Sequence, residues 1–99
     1  MSRKFIEDRW EQGVDEEIAY AVDTTPWGGG SGSPAVVVKL AGAPVTETVT
    51  EGSASGDGDV VTTPVIKNLT AGNTYRLEVK WTNSEGQVVE AYGFIDAKE

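Results

Sequence analysis

The sequence predicts an all-β protein, a two-layer antiparallel sandwich of about seven short strands. In several segments, apolar and polar side chains alternate with a period of two, which indicates strands with one buried face. These segments recur about every 8–12 residues and are separated by Gly, Ser, Asn and Pro, as is typical of sandwiches. A chain of 99 residues is long enough for one modest core. We therefore predict an N-terminal arm over residues 1–14 and a sandwich domain over residues 15–99.

The first two predicted strands are the segments EEIAYAVDT, residues 16–24, and PAVVVKL, residues 34–40. The first alternates between its two sides, and the second is a β-branched run that suits a pleated, half-buried surface. The side chains expected on the inward faces of these strands are Ile18, Tyr20, Val22, Val36, Val38 and Leu40.

Two middle segments are predicted to be edge strands. In APVTETVTEG, residues 43–52, Val45 and Val49 alternate with threonines, which indicates a half-exposed strand near an edge. In VVTTPVIKNL, residues 60–69, Pro64 cannot donate a ladder hydrogen bond, so this segment is expected to be an edge strand or to contain a bulge. An unpaired edge of this kind is able to accept a strand from a partner.

The clearest strand pattern lies in YRLEVKWT, residues 75–82. Because residues two apart share a face, four large side chains of this segment point into the core and make it the central strand. Each full burial is worth about 1.5–3 kcal/mol before the loss of conformational entropy. The loop over residues 82–87 then predicts a hairpin to a last strand over residues 88–97. The four core residues are Tyr75, Leu77, Val79 and Trp81.

The first dozen residues, SRKFIEDRWEQG, fit two structures. One is a short helix with Ser2 as the N-cap, Phe5, Ile6 and Trp10 on one face, and Gly13 as its stop. The other is an extended arm whose Phe5 and Trp10 dock on another surface. The sequence pattern leaves both alternatives open.

Composition excludes several functions. Eight basic and sixteen acidic residues give a net charge of −8, which repels phosphates and anionic lipid, so we expect neither nucleic acid nor a membrane as a partner. No apolar run approaches the roughly 18 residues of a membrane-spanning helix. The N-terminus has no apolar stretch behind its basic residues, so no secretory signal is predicted.

The absence of histidine and cysteine narrows the available chemistry further. It removes disulfides, thiolate and histidine metal sites, and Ser-His-Asp triads. Paired-carboxylate hydrolysis needs two acids facing each other across a cleft, whereas the acidic run Asp15–Glu17 has the pattern of a solvated turn. We therefore predict a protein that is not an enzyme and that uses no cofactor.

The polar segment SGDGDV has two interpretations. Asp57 and Asp59 are hard oxygen ligands on a loop, which suits Ca2+, and Glu51 or Asp23 could join them from neighbouring loops. The spacing lacks the twelve-residue calcium-loop pattern, and Gly and Asp are also the residues that a plain turn favours. The turn is the favoured interpretation, with Asp57 and Asp59 kept as weak calcium candidates.

Two tryptophans are candidate binding residues. Trp27 lies in the segment TPWGGGSGS, which predicts a flexible loop. Its indole is either a platform for a sugar or a partner, or a lid that folds back over one open end of the sandwich. Trp10 has the same two possible roles. If either is exposed, a carbohydrate- or cell-surface-binding module is an alternative function.

The segment LTAGNTY, residues 69–75, resembles the tyrosine corner of immunoglobulin-like and fibronectin type III sandwiches. In that corner, a tyrosine near the start of the penultimate strand returns its hydroxyl to the backbone a few residues upstream. Here Leu69 would fill the end of the core, Gly72 would permit the tight turn, and Tyr75 would clamp the corner. The resemblance implies an immunoglobulin-like topology.

Residues 15–96 further resemble small proteins encoded among the head and tail genes of tailed bacteriophages and prophages. The resemblance is carried by IAYAVDTTPWGGGSGSPAVVVKL, by LTAGNTYRLEVKWT and by the closing EGQVVEAYGFIDAKE. It implies a non-enzymatic structural protein that contacts other virion proteins or itself, in the virion or in the cytoplasm of the bacterium. The charged N-terminal arm and the glycine-rich loop over residues 28–33 depart from this pattern.

Overall fold

The computed structural model describes residues 6–99, with side chains from residue 9 onward, and it confirms the predicted all-β sandwich. The predicted roles of Ser2 and Phe5 lie outside the described residues. Ten strands are present in the described part, where the sequence predicted about seven, because six of the ten have only two or three residues. The strands are β1 (Ile6–Gly13), β2 (Ala21–Asp23), β3 (Gly32–Leu40), β4 (Ala43–Pro44), β5 (Thr50–Glu51), β6 (Ser55–Asp57), β7 (Val60–Thr62), β8 (Val65–Ile66), β9 (Thr74–Thr82) and β10 (Val88–Lys98).

The strands form two main layers and a small side sheet. One layer is a five-stranded sheet in the order β1-β10-β9-β3-β4, and the other is a three-stranded sheet in the order β2-β7-β6. Strands β5 and β8 make a two-stranded sheet beside them. Each strand pair is antiparallel except β1 with β10, which is parallel. Residues 6–99 also contain two helical pieces, a 3-10 turn at Thr25–Trp27 and the single turn α1 at Thr46–Val49.

Strand β9 is the centre of the core, as its alternation predicts. Its four inward side chains are almost fully buried, and Trp81 is only 1% exposed. Val22 of β2 and Val61 of β7 meet them from the three-stranded sheet, so both layers contribute to one apolar cluster. The inward residues of β9 are Tyr75, Leu77, Val79 and Trp81.

The corner before β9 has the contact that the sequence predicts. The Thr70 backbone N–H donates to the Tyr75 hydroxyl at 2.9 Å, five residues upstream of the ring. Leu69 is buried beneath the corner, and Gly72 turns the chain with φ +88°. Burial raises the pKa of Tyr75, but the hydrogen bonds from Thr70 and Asn73 together outweigh it and leave the pKa below its usual value.

The N-terminal segment is extended, so the helix alternative is wrong over Ile6–Gly13. Strand β1 lies parallel to β10 and forms one edge of the five-stranded sheet, which makes this part of the predicted arm part of the sandwich. The alternation of its residues explains why this segment is a strand. Trp10 packs on the core and Gln12 is fully buried, whereas Arg9 and Glu11, which alternate with them, face solvent.

The predicted edge strand over residues 43–52 is also wrong. The chain instead makes the short strand β4, the helical turn α1 and the short strand β5. Val45 and Val49 are four residues apart, a spacing that fits one face of a helical turn as well as one face of a strand. Thr46 Oγ1 accepts from Val38 N at 3.0 Å, and Thr50 Oγ1 donates to Thr46 O at 2.7 Å, which favours the turn.

Pro64 divides its segment into two strands, and the prediction holds for one of them. Strand β7, before it, lies in the middle of its sheet, whereas β8, after it, pairs with β5 in a two-stranded sheet and is an edge strand. Thr63 and Pro64 are buried between them. Because Pro64 has no N–H to offer, the ladder stops there and the chain passes from one sheet to another. The edges of the two main sheets are therefore β1, β4, β2 and β6.

The glycine-rich loop after Trp27 is clamped by hydrogen bonds, so the prediction of a flexible loop is wrong. Asn83 Nδ2 donates to the Trp27 carbonyl at 2.8 Å, and Asn83 Oδ1 accepts from Gln87 N at 2.9 Å. From the other side, Asp59 Oδ1 accepts from Gly30 N at 2.9 Å. These contacts join the β2–β3, β6–β7 and β9–β10 connections into one packed end of the sandwich.

A pair of glycine variants tests this packing. Gly30 has φ +75°, and a Cβ there would lie 2.7 Å from the Ser84 backbone nitrogen, whereas Gly42 has φ +84° and nothing within 4 Å of that position. Gly42→Ala is expected to cost only the backbone strain, about 1–2 kcal/mol. Gly30→Ala is expected to lose about 1–3 kcal/mol more because it also overpacks the loop. Urea unfolding of both variants measures the difference, and equal losses would contradict a packed loop.

Candidate interaction surface

The solvent-facing side of the five-stranded sheet presents one continuous set of side chains, which we call the outer face. Along β9 and β10, buried residues alternate with accessible ones, and residues directly opposite each other on paired strands share a face. The outer face consists of Arg9, Glu11, Ala35, Val37, Lys39, Thr74, Arg76, Glu78, Lys80, Thr82, Val88, Glu90, Tyr92, Phe94, Asp96 and Lys98.

Aromatic rings and cations alternate across the middle of the outer face. The register places Lys39, Arg76, Phe94 and Arg9 in one row across β3, β9, β10 and β1. The Arg76 guanidinium lies 4.0 Å from the centroid of the Tyr92 ring, and that of Arg9 lies 5.6 Å from the Phe94 centroid. Each contact is a cation–π interaction that holds a half-buried ring in place on an open sheet.

Carboxylates fix the cations of this row. Glu78 Oε2 lies 3.0 Å from Arg76 Nε and 3.4 Å from Lys39 Nζ, so it bridges β9 and β3. Asp96 accepts two hydrogen bonds from the Arg9 guanidinium, at 2.7 and 2.9 Å, and a third from Thr74 Oγ1 at 2.6 Å. The guanidinium of Arg9, followed by the hydroxyl of Thr74, holds the pKa of Asp96 below its ordinary value.

Charge is strongly segregated between the outer face and the rest of the molecule. Of the residues whose side chains the structure describes, five of the six basic ones lie on the outer face, with only four of the fourteen acidic ones. The outer face therefore carries a formal charge of +1, and the remaining described surface carries −9. The side of the molecule that another acidic surface can approach without repulsion is the outer face.

The outer face also has an exposed apolar side chain and two shallow depressions. Val88, at its end nearest the β9–β10 hairpin, is 45% exposed. A shallow depression lies between the β3–β4 turn and β10, lined by Lys39, Arg76, Glu78 and Phe94 among others. A second depression lies beside α1 and is lined by Val37 and Pro44 among others. These features distinguish the face from a uniformly charged, solvated sheet surface.

The opposite side of the sandwich has an acidic row. Asp23, Val60 and Asp57 lie side by side across β2, β7 and β6, and their side chains point away from the core because Val22 and Val61 point into it. We call these three residues the acidic row. Val60, at its centre, is 39% exposed. The acidic row and Val88 lie toward the same end of the sandwich, where the loops meet.

The calcium candidates do not converge in the structure. Asp59 accepts from the Gly30 backbone, Asp23 Oδ1 accepts from Thr25 N at 3.0 Å, and Glu51 is bonded to Lys67. Asp57 lies exposed in the acidic row. Within residues 9–99 no group of three or more acids is placed to share an ion. The geometry at Asp59 is that of the turn interpretation.

The two candidate tryptophans contribute to the core. Trp27 is 4% exposed, and its ring meets that of Trp81 edge to face with 5.7 Å between centroids. The platform alternative for Trp27 is therefore wrong, and the lid alternative is correct, because the ring closes the loop end of the sandwich. Trp10 is half-buried against the core and against Tyr20, with 5.0 Å between ring centroids. Neither indole presents the open ring that a carbohydrate platform requires.

The fold and the surface define an all-β sandwich with one aromatic and cationic face on an otherwise acidic molecule. Comparisons with protein-family models, with curated proteins and with solved structures found no match to this chain. Among the described residues, no helix has the length and apolar character needed to cross a bilayer.

The Asp96 contacts predict an acid-sensitive attachment of β1. Because the pKa of Asp96 is lower in the folded chain than in the unfolded one, its ion pair stabilises fully above the ordinary aspartate value, about 4. That contribution is lost as the pH falls through the folded-state value. Asp96→Asn is expected to lower the Tm at neutral pH, with a deficit that shrinks in acid, as thermal melts across pH will measure. Asp15→Asn, in the exposed turn after β1, is the control, and a deficit independent of pH would contradict the ion pair.

Proposed function

We propose that this chain is a non-enzymatic structural and interaction protein of a phage or prophage virion, and that its outer face is the contact surface. One observation carries the proposal: the outer face has a formal charge of +1, half-buried aromatic rings and an exposed Val88, on a molecule whose remaining described surface carries −9. Protein contact surfaces are typically depleted in net charge and enriched in aromatic and Arg side chains.

The strand order supports an immunoglobulin-like assignment of the sandwich. In the constant-type immunoglobulin arrangement, the last two strands lie beside the third in one sheet, and the first, second, fourth and fifth strands belong to the other. Strand β1 departs from this arrangement, because it pairs with β10 in the large sheet. Here β10, β9 and β3 are neighbours in the large sheet, and β2, β7 and β6 make up the small one. The hydrogen bond between Thr70 N and the Tyr75 hydroxyl supports the same assignment. Such sandwiches display loops and faces on a rigid core, which suits a virion module.

The rigidity of the loop end also favours contact through a face rather than through adaptable loops. The glycine-rich loop is held by Asn83 and Asp59, so it has little freedom to reshape around a ligand. The charges and rings of the outer face are likewise held in place, by Glu78 and Asp96. A preorganised surface loses less entropy on binding than a mobile one.

Purified particles of the producing phage or induced lysogen provide the test. We expect the chain to be detected in them by mass spectrometry, and immobilised chain to retain a head or tail protein from dissociated particles. Lys80→Glu reverses an exposed charge on the outer face, and Lys67→Glu makes the same charge change away from it. Retention should fall with Lys80→Glu and not with Lys67→Glu. Particles that lack the chain, together with no retained virion protein, would exclude the proposal.

A further inference from the structure

We propose that copies of this chain associate head to tail, with the outer face of one copy seated on the acidic row of the next. This inference rests on the proposed function, because it names a second copy as one occupant of the outer face. It follows from two surfaces on opposite sides of the same sandwich whose charge and apolar character are complementary.

The outer face and the acidic row carry charges of opposite sign. The middle of the outer face is a row of Lys39, Arg76 and Arg9 around Phe94. Lys80 is exposed two rows away, in the row next to Val88. The acidic row offers carboxylates on its two flanking strands and no cation. Two acidic rows repel each other, and so do two cationic rows, whereas an outer face and an acidic row attract each other.

The apolar surfaces match as well. Val60 and Val88 are the two large apolar side chains in the described part of the chain that remain exposed, at 39% and 45%. Val60 stands at the centre of the acidic row, and Val88 stands on the outer face. Both lie toward the loop end, so stacking two sandwiches in the same orientation brings Val60 toward Val88. Lys80, in the row of the outer face next to Val88, then comes near the aspartates that flank Val60. Burying exposed apolar area supplies the affinity that steering by charge alone does not.

The two surfaces differ, so the contact is heterologous and each added copy leaves one surface of each kind unoccupied. Such a contact produces rings when its rotation closes and filaments when it does not. A two-fold dimer uses the same surface twice and is a different arrangement. Head-to-tail association therefore predicts species larger than a dimer that dissociate as salt is raised, since screening shortens from about 10 Å at 0.1 M to about 3 Å at 1 M ionic strength.

Sedimentation velocity and light scattering on the full chain, over a range of protein concentrations at low and high salt, provide the test. The parent chain should form oligomers beyond a dimer at low salt and lose them at high salt. Lys80→Glu should weaken self-association about tenfold or more, because a glutamate then faces the acidic row. Lys67→Glu, with the same change in charge, should behave as the parent. Circular dichroism verifies that each of these surface variants is folded.

A charge swap separates this contact from other modes of association. Asp57→Lys in the acidic row should weaken self-association as Lys80→Glu does, and mixing the two variants should restore it, since each supplies a surface that the other lacks. Parent-like association of Asp57→Lys, equal weakening by Lys67→Glu, or a salt-insensitive dimer would overturn the inference. A monomeric parent chain that still retains a virion protein would overturn it while leaving the proposed function standing. A monomer that retains none and is also missing from purified particles would end both.

Discussion

Trp81→Ala is expected to remove roughly 3–5 kcal/mol from the free energy of unfolding, the range for deleting a large buried aromatic side chain. Trp81 is 1% exposed, belongs to the central strand β9 and meets the Trp27 ring edge to face at 5.7 Å. Its removal leaves a cavity between the two sheets and takes away the support of Trp27 at the loop end. Since small domains have only about 5–15 kcal/mol of stability, this loss is a large fraction of the total. Urea denaturation followed by far-UV circular dichroism measures the loss.

Two further variants separate volume from position. Val88→Ala removes apolar atoms from a side chain that is 45% exposed, and it should change stability by less than about 0.5 kcal/mol. Trp81→Phe keeps a ring but loses volume, and the Trp81 Nε1 atom has no hydrogen-bond partner among the described residues. The free energy of unfolding that Trp81→Phe loses should therefore lie between the losses of Val88→Ala and Trp81→Ala. A Trp81→Ala loss no larger than that of Val88→Ala would contradict the central role of β9.

Strand β9 was predictable because its sequence pattern and its environment agree. It lies between β10 and β3, with the core on one side and solvent on the other, so strict alternation is the pattern that such a strand requires. The tyrosine corner is also local: the Thr70 and Tyr75 partners are five residues apart. Interactions within a few residues leave a signature that the sequence shows directly.

The segment around α1 was not predictable from alternation. Val45 and Val49 fit either a strand or a helical turn over so short a stretch, and the outcome depends on Thr46 binding the backbone of Val38 in another strand. The prediction of a flexible glycine-rich loop was wrong for the same kind of reason. Its rigidity comes from Asn83 and Asp59, which lie far along the chain, so glycine content alone indicates flexibility where the fold supplies restraint.

The outer face was not predictable from the sequence because its cations are dispersed along the chain. Arg9, Lys39, Arg76 and Lys98 belong to four different strands, and each is an isolated basic residue in the sequence. Only the order β1-β10-β9-β3 gathers them on one side. The composition gives only the net charge of the whole chain, −8, and this value does not show that one face is nearly neutral. The alternation of β9 did place Arg76, Glu78 and Lys80 on a solvent face, which was the one available signal.

Gln12→Leu is expected to cost about 3 kcal/mol, because it leaves polar groups unpaired inside the molecule. Gln12 is 0% exposed, and its Nε2 donates to the Ile66 carbonyl at 2.7 Å and to the Glu16 carbonyl at 3.0 Å. Its Oε1 accepts from the Tyr20 hydroxyl at 2.6 Å. Burial, followed by the charge of Glu16, raises the pKa of Tyr20, so the phenol stays protonated and donates at neutral pH. One side chain thus joins β1 to β8 and to the segment before β2.

A double-mutant cycle with Tyr20→Phe tests this network through urea unfolding. Tyr20→Phe alone leaves Gln12 Oε1 without its donor, and Gln12→Leu alone leaves the hydroxyl without its acceptor. The double variant removes both members of that hydrogen bond, so its loss should be smaller than the sum of the single losses by about 0.5–3 kcal/mol. Both Gln12 variants also lose the hydrogen bonds from Gln12 Nε2 to the Glu16 and Ile66 carbonyls, and only the Ile66 carbonyl keeps a second donor, Ile18 N at 3.1 Å. The double variant should therefore remain less stable than Tyr20→Phe. Additive losses would show that the hydroxyl does not depend on Gln12, and Gln12 would then hold β1 only through the Ile66 and Glu16 carbonyls.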